Sequence, residues 1–267
     1  MSAAASNVTD GFSVSLREVS KTFATGVTAL ERFNLDLWPG EFVTLLGPSG
    51  CGKSTALRMI AGLTEPTRGS VEWTGHLQRA GDARRAQIGF VFQEPTLMPW
   101  ATVARNVALP LELEGTAAQE EGQRVSAALQ RVGLDGFANA YPRELSGGMK
   151  MRASIARALV TEPALLLMDE PFAALDEITR FRLNDDLLAL WHTLGKTVVF
   201  VTHSVFESVY LSQRIVVMTP RPGRVFTELR IDAPYPRGKG FRTSAEYAAL
   251  CRKASDALAA AAKGAAP

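Results

Sequence analysis

Gly47-Pro48-Ser49-Gly50-Cys51-Gly52-Lys53-Ser54 satisfies the spacing G-x-x-x-x-G-K-[ST]. It follows a short continuous apolar run, Phe42 to Leu46, and opens a helical pattern that extends from Lys53 to Ala61. An unbroken apolar run of that length predicts a strand buried on both faces. Strand, glycine-rich turn and helix in that order predict an α/β fold with a mostly parallel sheet. The turn also predicts chemistry. Its glycines let successive backbone N–H groups point inward, the helix N-terminus adds the positive end of its dipole, and Lys53 supplies a mobile point charge. Together Gly47, Pro48, Ser49, Gly50, Cys51, Gly52 and Lys53 make a cup for nucleotide phosphates. Ser54 offers a hydroxyl to Mg2+, and Thr55 is left to packing or to a phosphate hydrogen bond.

A second apolar run, Ala164 to Met168, ends in Asp169-Glu170-Pro171. Ligands bind at the carboxyl ends of strands in open α/β sheets, so this places two acids where a cation or a proton is needed. Asp169 can reach the Mg2+ shell through water, and Glu170 can orient or deprotonate an attacking water. The plainer alternative is a polar strand end that stops pairing at Pro171. Leu145-Ser146-Gly147-Gly148-Met149 puts a serine and two glycines at the start of a helix running to Val160, a second helix end able to receive an anion or simply a capped helix start.

Outward from these motifs, Val14 to Val19 and Ala29 to Leu37 read as strands of an antiparallel β lobe, and Ile88 to Phe92 as another buried strand. Pro95, Pro99 and Pro110 punctuate the next region, which turns helical from about Ala117 to Val132. Residues 94–158 are therefore expected to form a helical subdomain inserted in the α/β core. Strand and helix alternation continues to Val216. Beyond Pro220 the composition shifts to proline, glycine and arginine, and Ala245 to Ala262 reads as an alanine-rich helix. The expected organisation is one domain over 12–232 and a helical extension over 233–267, too short for a separate regulatory domain.

The bulk properties exclude several classes. A chain of 267 residues with 46% hydrophobic and 21% charged composition is globular rather than disordered. Acidic and basic residues interleave and the net charge is +2, so no broad basic face predicts nucleic acid as a partner. Met1 to Gly11 lacks the features of a secretory signal and reads as a frayed end. No apolar run approaches the roughly 20 residues of a membrane helix, so membrane association is expected to be peripheral. Cys51 and Cys251 are expected to be reduced thiols in a cytosolic compartment.

In this order and spacing the motifs resemble the ATPase subunit of an ATP-binding cassette (ABC) transporter, from about Val14 to Val225. The resemblance implies that Phe23 stacks on adenine, that residues 47–54 are Walker A, and that Gln93 is the Q-loop residue at the Mg2+ ion. It also implies a signature at Leu145 to Met149, Walker B ending in Asp169 and Glu170, a D-loop at Ala174-Leu175-Asp176 and a switch histidine at His203. Phe23 as a core aromatic, Gln93 as an ordinary polar residue and His203 as a satisfied strand-end histidine are the alternatives. Lys53, Glu170 and His203 are the implied catalytic residues. ATP and Mg2+ are the implied ligands, and two subunits are implied to close head to tail so that Ser146, Gly147 and Gly148 of one meet the γ-phosphate held by the other.

Met149 replaces the commoner glutamine of the signature, Lys150-Met151-Arg152 differs from the usual run, and Ala173 stands where a serine often opens the D-loop. The resemblance is strongest to the nitrate, sulfonate and taurine importer branch. It implies a transmembrane permease, an extracytoplasmic solute-binding protein and a place on the inner face of the membrane. The apolar stretch Thr96-Leu97-Met98-Pro99-Trp100 is expected to be the permease contact, or else a local hydrophobic cluster. An efflux or lipid-transport ATPase, a soluble cassette protein acting on DNA or ribosomes, and a P-loop kinase are the rival readings. The last two find no support in coiled-coil, zinc or acceptor-site features.

Overall fold

A computed structural model describes residues 14–74 and 87–264. The stretch expected to fray, Met1 to Gly11, and the last three residues lie outside them. The strands β1 (Val14–Thr22), β2 (Thr28–Leu37) and β4 (Arg68–Trp73) form an antiparallel sheet in the order β2-β1-β4. The remaining strands are β3 (Phe42–Leu46), β5 (Ile88–Val91), β6 (Leu165–Asp169), β7 (Thr197–Thr202), β8 (Arg214–Met218) and β9 (Val225–Arg230). They form a second sheet in the order β5-β6-β7-β3-β8-β9, parallel throughout except for β9.

Strand alternation divides the core into two layers, because successive side chains leave a strand on opposite faces. Phe42, Leu46, Leu166, Met168, Val198 and Phe200 share one cluster, while Val43, Leu45, Leu165, Leu167, Val199 and Val201 share the other. The second layer also takes the β lobe and α1 (Lys53–Ile60). Residues of α4 (Gly147–Leu159), α5 (Glu177–Leu194) and α6 (Val205–Leu211) cover the first. Both faces of the parallel sheet are thus buried, as its continuous apolar strands require.

A separate helical lobe packs α2 (Val103–Glu114), α3 (Ala118–Arg131) and α4 around Val103, Val107, Leu111, Leu129, Ala153 and Ala156. The sequence reading missed α2 because it took Pro110 as punctuation. Helix α2 runs through Pro110, although an interior proline costs about 3 kcal/mol. Val103, Val107 and Leu111 recur every four residues on its buried face, and Asn106 bonds the backbone of Met98, Ala101 and Thr102, so packing offsets the lost hydrogen bond. Leu97 is partly buried against this lobe's core, whereas Trp100 is 77% exposed, so Trp100 presents more of its bulk to solvent.

The edge strand β9 was also not anticipated. Its side chains are mostly half-exposed, so it carries neither a continuous apolar run nor a clean alternation. Beyond it, Arg237 is buried and donates to the carbonyls of Val209, Tyr210 and Ser212 at 2.7, 2.6 and 2.9 Å. This staples the chain leading into α7 (Ala245–Lys263) onto the end of α6. Helix α7 is capped by Ser244 and buries Tyr247, Cys251 and Ala254.

Arg214 of β8 ties the two sheets together. It forms a bidentate pair with Glu41 at 2.7 and 2.8 Å, reaches Glu228 at 2.8 Å and donates to the Asp36 carbonyl. Burial alone would lower its pKa, but Glu41 and Glu228 outweigh that and hold the guanidinium above the ordinary arginine value. Arg214→Ala would strand the Glu41 carboxylate in a largely buried setting and is expected to cost about 3–5 kcal/mol, measured by urea unfolding.

Candidate active site

The cup is built by β3 feeding α1 through the glycine-rich turn. Its last glycine, Gly52, has φ +107°, and a Cβ there would meet the Ala29 carbonyl at 2.6 Å, so only glycine closes the turn against β2. Helix α1 has no side-chain cap at Gly52 and no acidic residue in its first turn. Its leading N–H groups and positive dipole end therefore remain available to an anion.

Lys53 is only 3% exposed. Its ammonium donates to the carbonyls of Gly47 and Pro48 at 2.9 and 3.0 Å and lies 3.3 Å from Glu170 Oε1. Cys51 is buried beneath the turn, where desolvation pushes its thiol pKa up, so it packs as an inert small side chain.

At the end of β6, Asp169 accepts a hydrogen bond from Ser54 Oγ at 2.8 Å. Burial pushes its carboxyl pKa up, the Ser54 bond pulls it down, and the neighbouring Glu170 charge adds to the upward push. Glu170 stands at φ +46°, in the left-handed region that non-glycine residues seldom adopt. That turn carries its side chain between two partners. One oxygen faces Lys53 and the other lies 2.9 Å from Nδ1 of His203, which follows the end of β7. Strands β3, β6 and β7 are parallel and close together in the sheet, so their carboxyl ends deliver Lys53, Glu170 and His203 to one edge.

A cleft of about 360 Å³ opens there, and Ser49, Gly50, Gly52, Lys53, Ser54, Thr55, Gln93 and Glu170 line it. Phe23 also lines the cleft, 42% exposed and outside the core, with the Lys21 ammonium 5.7 Å from its ring centroid. Ser146, Gly147, Gly148 and Asp176 do not line this cleft. Ser146 caps α4 by accepting from the Met149 N–H at 3.3 Å, and it and Gly147 are exposed. A Cβ on Gly148 would meet Thr179 at 2.7 Å, so α4 abuts the first turn of α5. Asp176 caps α5 through the Thr179 N–H at 2.9 Å, a bond that holds its carboxyl below the usual range.

Among the described residues no three His, Cys, Asp or Glu side chains cluster as a metal set. The Ser54 hydroxyl, the Asp169 carboxylate bonded to it and the Gln93 amide on the cleft wall are hard oxygen donors, too few to hold a cation alone. Such a set would fit a Mg2+ ion that phosphates and water also coordinate.

Sequence reasoning missed the turn after β8. Arg221 lines the cleft and donates Nε and Nη2 to the Gly50 carbonyl at 3.1 and 2.9 Å. Gly223 exchanges backbone hydrogen bonds with Ala29 and Glu31, and a Cβ there would meet the Cys51 carbonyl at 2.1 Å. The available signal was Pro220-Arg221-Pro222-Gly223 directly after an apolar strand, but the adjacency of β8 to β3 is a fact of topology.

A backbone phosphate cup at the carboxyl edge of a parallel sheet, with paired acids on a nearby strand, defines a P-loop nucleoside triphosphatase. The ABC transporter family profile matches residues 30–173. The chain is 51% identical over 221 residues to an uncharacterized ABC transporter ATP-binding protein of Methanocaldococcus jannaschii, covering 83% of this chain and 80% of that one. It is 46% identical over 223 residues to the aliphatic sulfonates import ATP-binding protein SsuB of Bacillus subtilis, covering 84% of each. A solved dimeric post-hydrolysis state of the ATP-binding cassette MJ0796 bound to ADP and Pi superposes with a TM-score of 0.72 at 37% identity, over 83% of this chain and all of that one. This chain belongs to the ABC transporter family, as an ATP-binding subunit that hydrolyses ATP.

Gly223→Ala is expected to press on the Cys51 carbonyl, lower stability by about 1–3 kcal/mol and weaken ATP binding. Urea unfolding and titration with a fluorescent ATP analogue would measure both. Gly136→Ala, where an added Cβ meets nothing within 4 Å, should leave both unchanged.

Proposed function

We propose that this chain powers a bacterial importer by closing, two copies head to tail, around ATP. The observation that carries the reading is Glu170, fixed between Lys53 at 3.3 Å and His203 at 2.9 Å on the wall of the phosphate cleft. A carboxylate so placed can take a proton from water while Lys53 turns its charge to the phosphates and His203 orients the reacting groups. Phe23 would stack on adenine from the rim. Ser54, Asp169 and Gln93 would hold Mg2+, which neutralises phosphate charge when bound.

The second anion-binding helix end supports pairing of two copies. Ser146 and Gly147 are exposed and lie outside the cleft of their own chain, so another copy's nucleotide is the partner their N–H groups fit, with the Ala174-Leu175-Asp176 turn at the seam. The cassette would comprise residues 12–232, with 94–158 as its helical subdomain and 233–267 as an extension, of which Tyr247, Cys251 and Ala254 pack on the core.

Among the described residues no helix is long and apolar enough to cross a membrane. Transport would therefore run through separate permease subunits, with this chain peripheral on the cytoplasmic face. A groove of about 600 Å³ between β5 and the helical lobe supports that contact. Phe90, Phe92, Thr96, Leu109, Pro110 and Leu113 line it, Leu113 is 80% exposed, and Arg157 fixes its rim by donating to the carbonyls of Pro95 and Thr96 at 2.9 Å each. The sulfonate-import relatives support import of a small solute of nitrate, sulfonate or taurine type, delivered by an extracytoplasmic binding protein.

Lys53→Ala is expected to abolish ATP binding or turnover. Glu170→Gln should keep ATP binding but reduce hydrolysis at least about a hundredfold and accumulate an ATP-bound dimer, seen by phosphate release and size-exclusion chromatography. Normal turnover in Glu170→Gln would remove the role given to that carboxylate. Trp100→Ala combined with Leu113→Ser is expected to lower co-purification with the permease while basal ATPase stays within about twofold. Undiminished co-purification would count against the groove.

A further inference from the structure

Helices α5 and α6 meet where Arg180 faces Glu207, away from the nucleotide cleft. Arg180 Nη2 donates to the Leu175 carbonyl at 2.9 Å and so holds the Ala174–Asp176 turn from inside the helix that follows it. Its Nε stops 3.9 Å from Glu207 Oε1. Both of these atoms are buried and neither has a hydrogen-bond partner.

The other Glu207 oxygen has a partner. It accepts from Thr202 Oγ1 at 2.5 Å, and the same hydroxyl oxygen accepts from the Ser204 N–H at 3.0 Å. Thr202 and Ser204 flank His203, so the Glu207 carboxylate clamps the backbone that aims the histidine at Glu170. From the turn to the phosphate cup the contacts run Leu175, Arg180, Glu207, Thr202, His203, Glu170 and Lys53. The one open step is the gap between Arg180 and Glu207.

Two facts make that gap informative. Glu207 is only 7% exposed, and burial pushes its carboxyl pKa up against the pull of Thr202 and Arg180, so a closer guanidinium would be favoured. A cleft of about 610 Å³ lies beside the pair, with Arg180, Asn184 and Glu207 on its wall, which leaves the first turn of α5 room to move. Closing the pair to hydrogen-bond distance needs a shift of about 1 Å.

We propose that Arg180 and Glu207 are a positioning pair that carries movement of the Ala174–Asp176 turn to His203 and Glu170. Contact of a second copy with the turn closes the pair, and closure sets the histidine and carboxylate for hydrolysis. The inference rests on the hydrolytic reading of Glu170 and His203 given above. A pair that only fastens α5 to α6 is the competing account.

The test measures kcat, KM for MgATP and melting temperature in Arg180→Ala, Glu207→Gln, the double variant and Arg180→Lys. A positioning pair predicts that each of the first two lowers kcat about tenfold or more with KM within about twofold. The double variant should be no slower than the slower single one, and Arg180→Lys, which keeps the charge but not the fork, should recover part of the rate. Unchanged kcat, or losses that add in the double variant and follow the melting temperature, would overturn the proposal. If a single variant melts too low to assay, Arg180→Lys decides, since a mere fastener predicts wild-type kcat there. Glu170→Gln separates the two readings. Blocked hydrolysis there with normal turnover in the pair variants sinks the pair alone, whereas turnover in Glu170→Gln removes its target and sinks both.

Discussion

The buried Lys53 ammonium is the interaction on which the site depends. An ammonium that is 3% exposed costs several kcal/mol in lost hydration unless its surroundings replace the water. Two carbonyls of its own turn and the Glu170 carboxylate do so, and they come from different strands of one sheet. The charge can be kept only if β3 and β6 end level with each other, so sheet register and active-site electrostatics are one constraint. The same three partners hold Lys53 where a phosphate would compete for it.

The structure around this centre shares the task of keeping the turn in shape. Gly52 lets β2 approach, Gly223 lets the turn after β8 slip beneath Cys51, and Arg221 holds the Gly50 carbonyl with two N–H donors. Arg214 then locks β8 and β9 to the end of β2. The helical lobe is built differently, with its own apolar core and with Ser146 and Gly147 turned outward. The start of α1 therefore faces the core's own cleft, while the start of α4 is presented to the outside.

Much of this was legible in the sequence because local signals and global fold agree. The run Phe42 to Leu46 is buried throughout, and Asp169 and Glu170 stand at a strand end facing the cup. Strand β4 was not read from the sequence, and three further features escaped for physical reasons. Helix α2 hid behind Pro110, whose penalty is met by tertiary packing that no local window contains. Strand β9 is an edge strand with mixed exposure and so lacks a periodic pattern. Arg221 and Gly223 lie some 170 residues from the turn they support, and only the order of strands brings them to it. The resemblance placed Leu97 with Trp100 on a docking surface; Trp100 is exposed there, and Leu97 is partly buried against the lobe's core.

The division of labour between an enclosed and an outward helix end has one direct test, a structure of the hydrolysis-deficient Glu170→Gln protein with ATP and Mg2+. It should show two copies in head-to-tail contact, with Ser146 of one against the γ-phosphate gripped by Lys53 of the other. If every bound triphosphate were instead surrounded by a single chain, with Ser146 far from any γ-phosphate, closure around shared ATP would not be how this protein works.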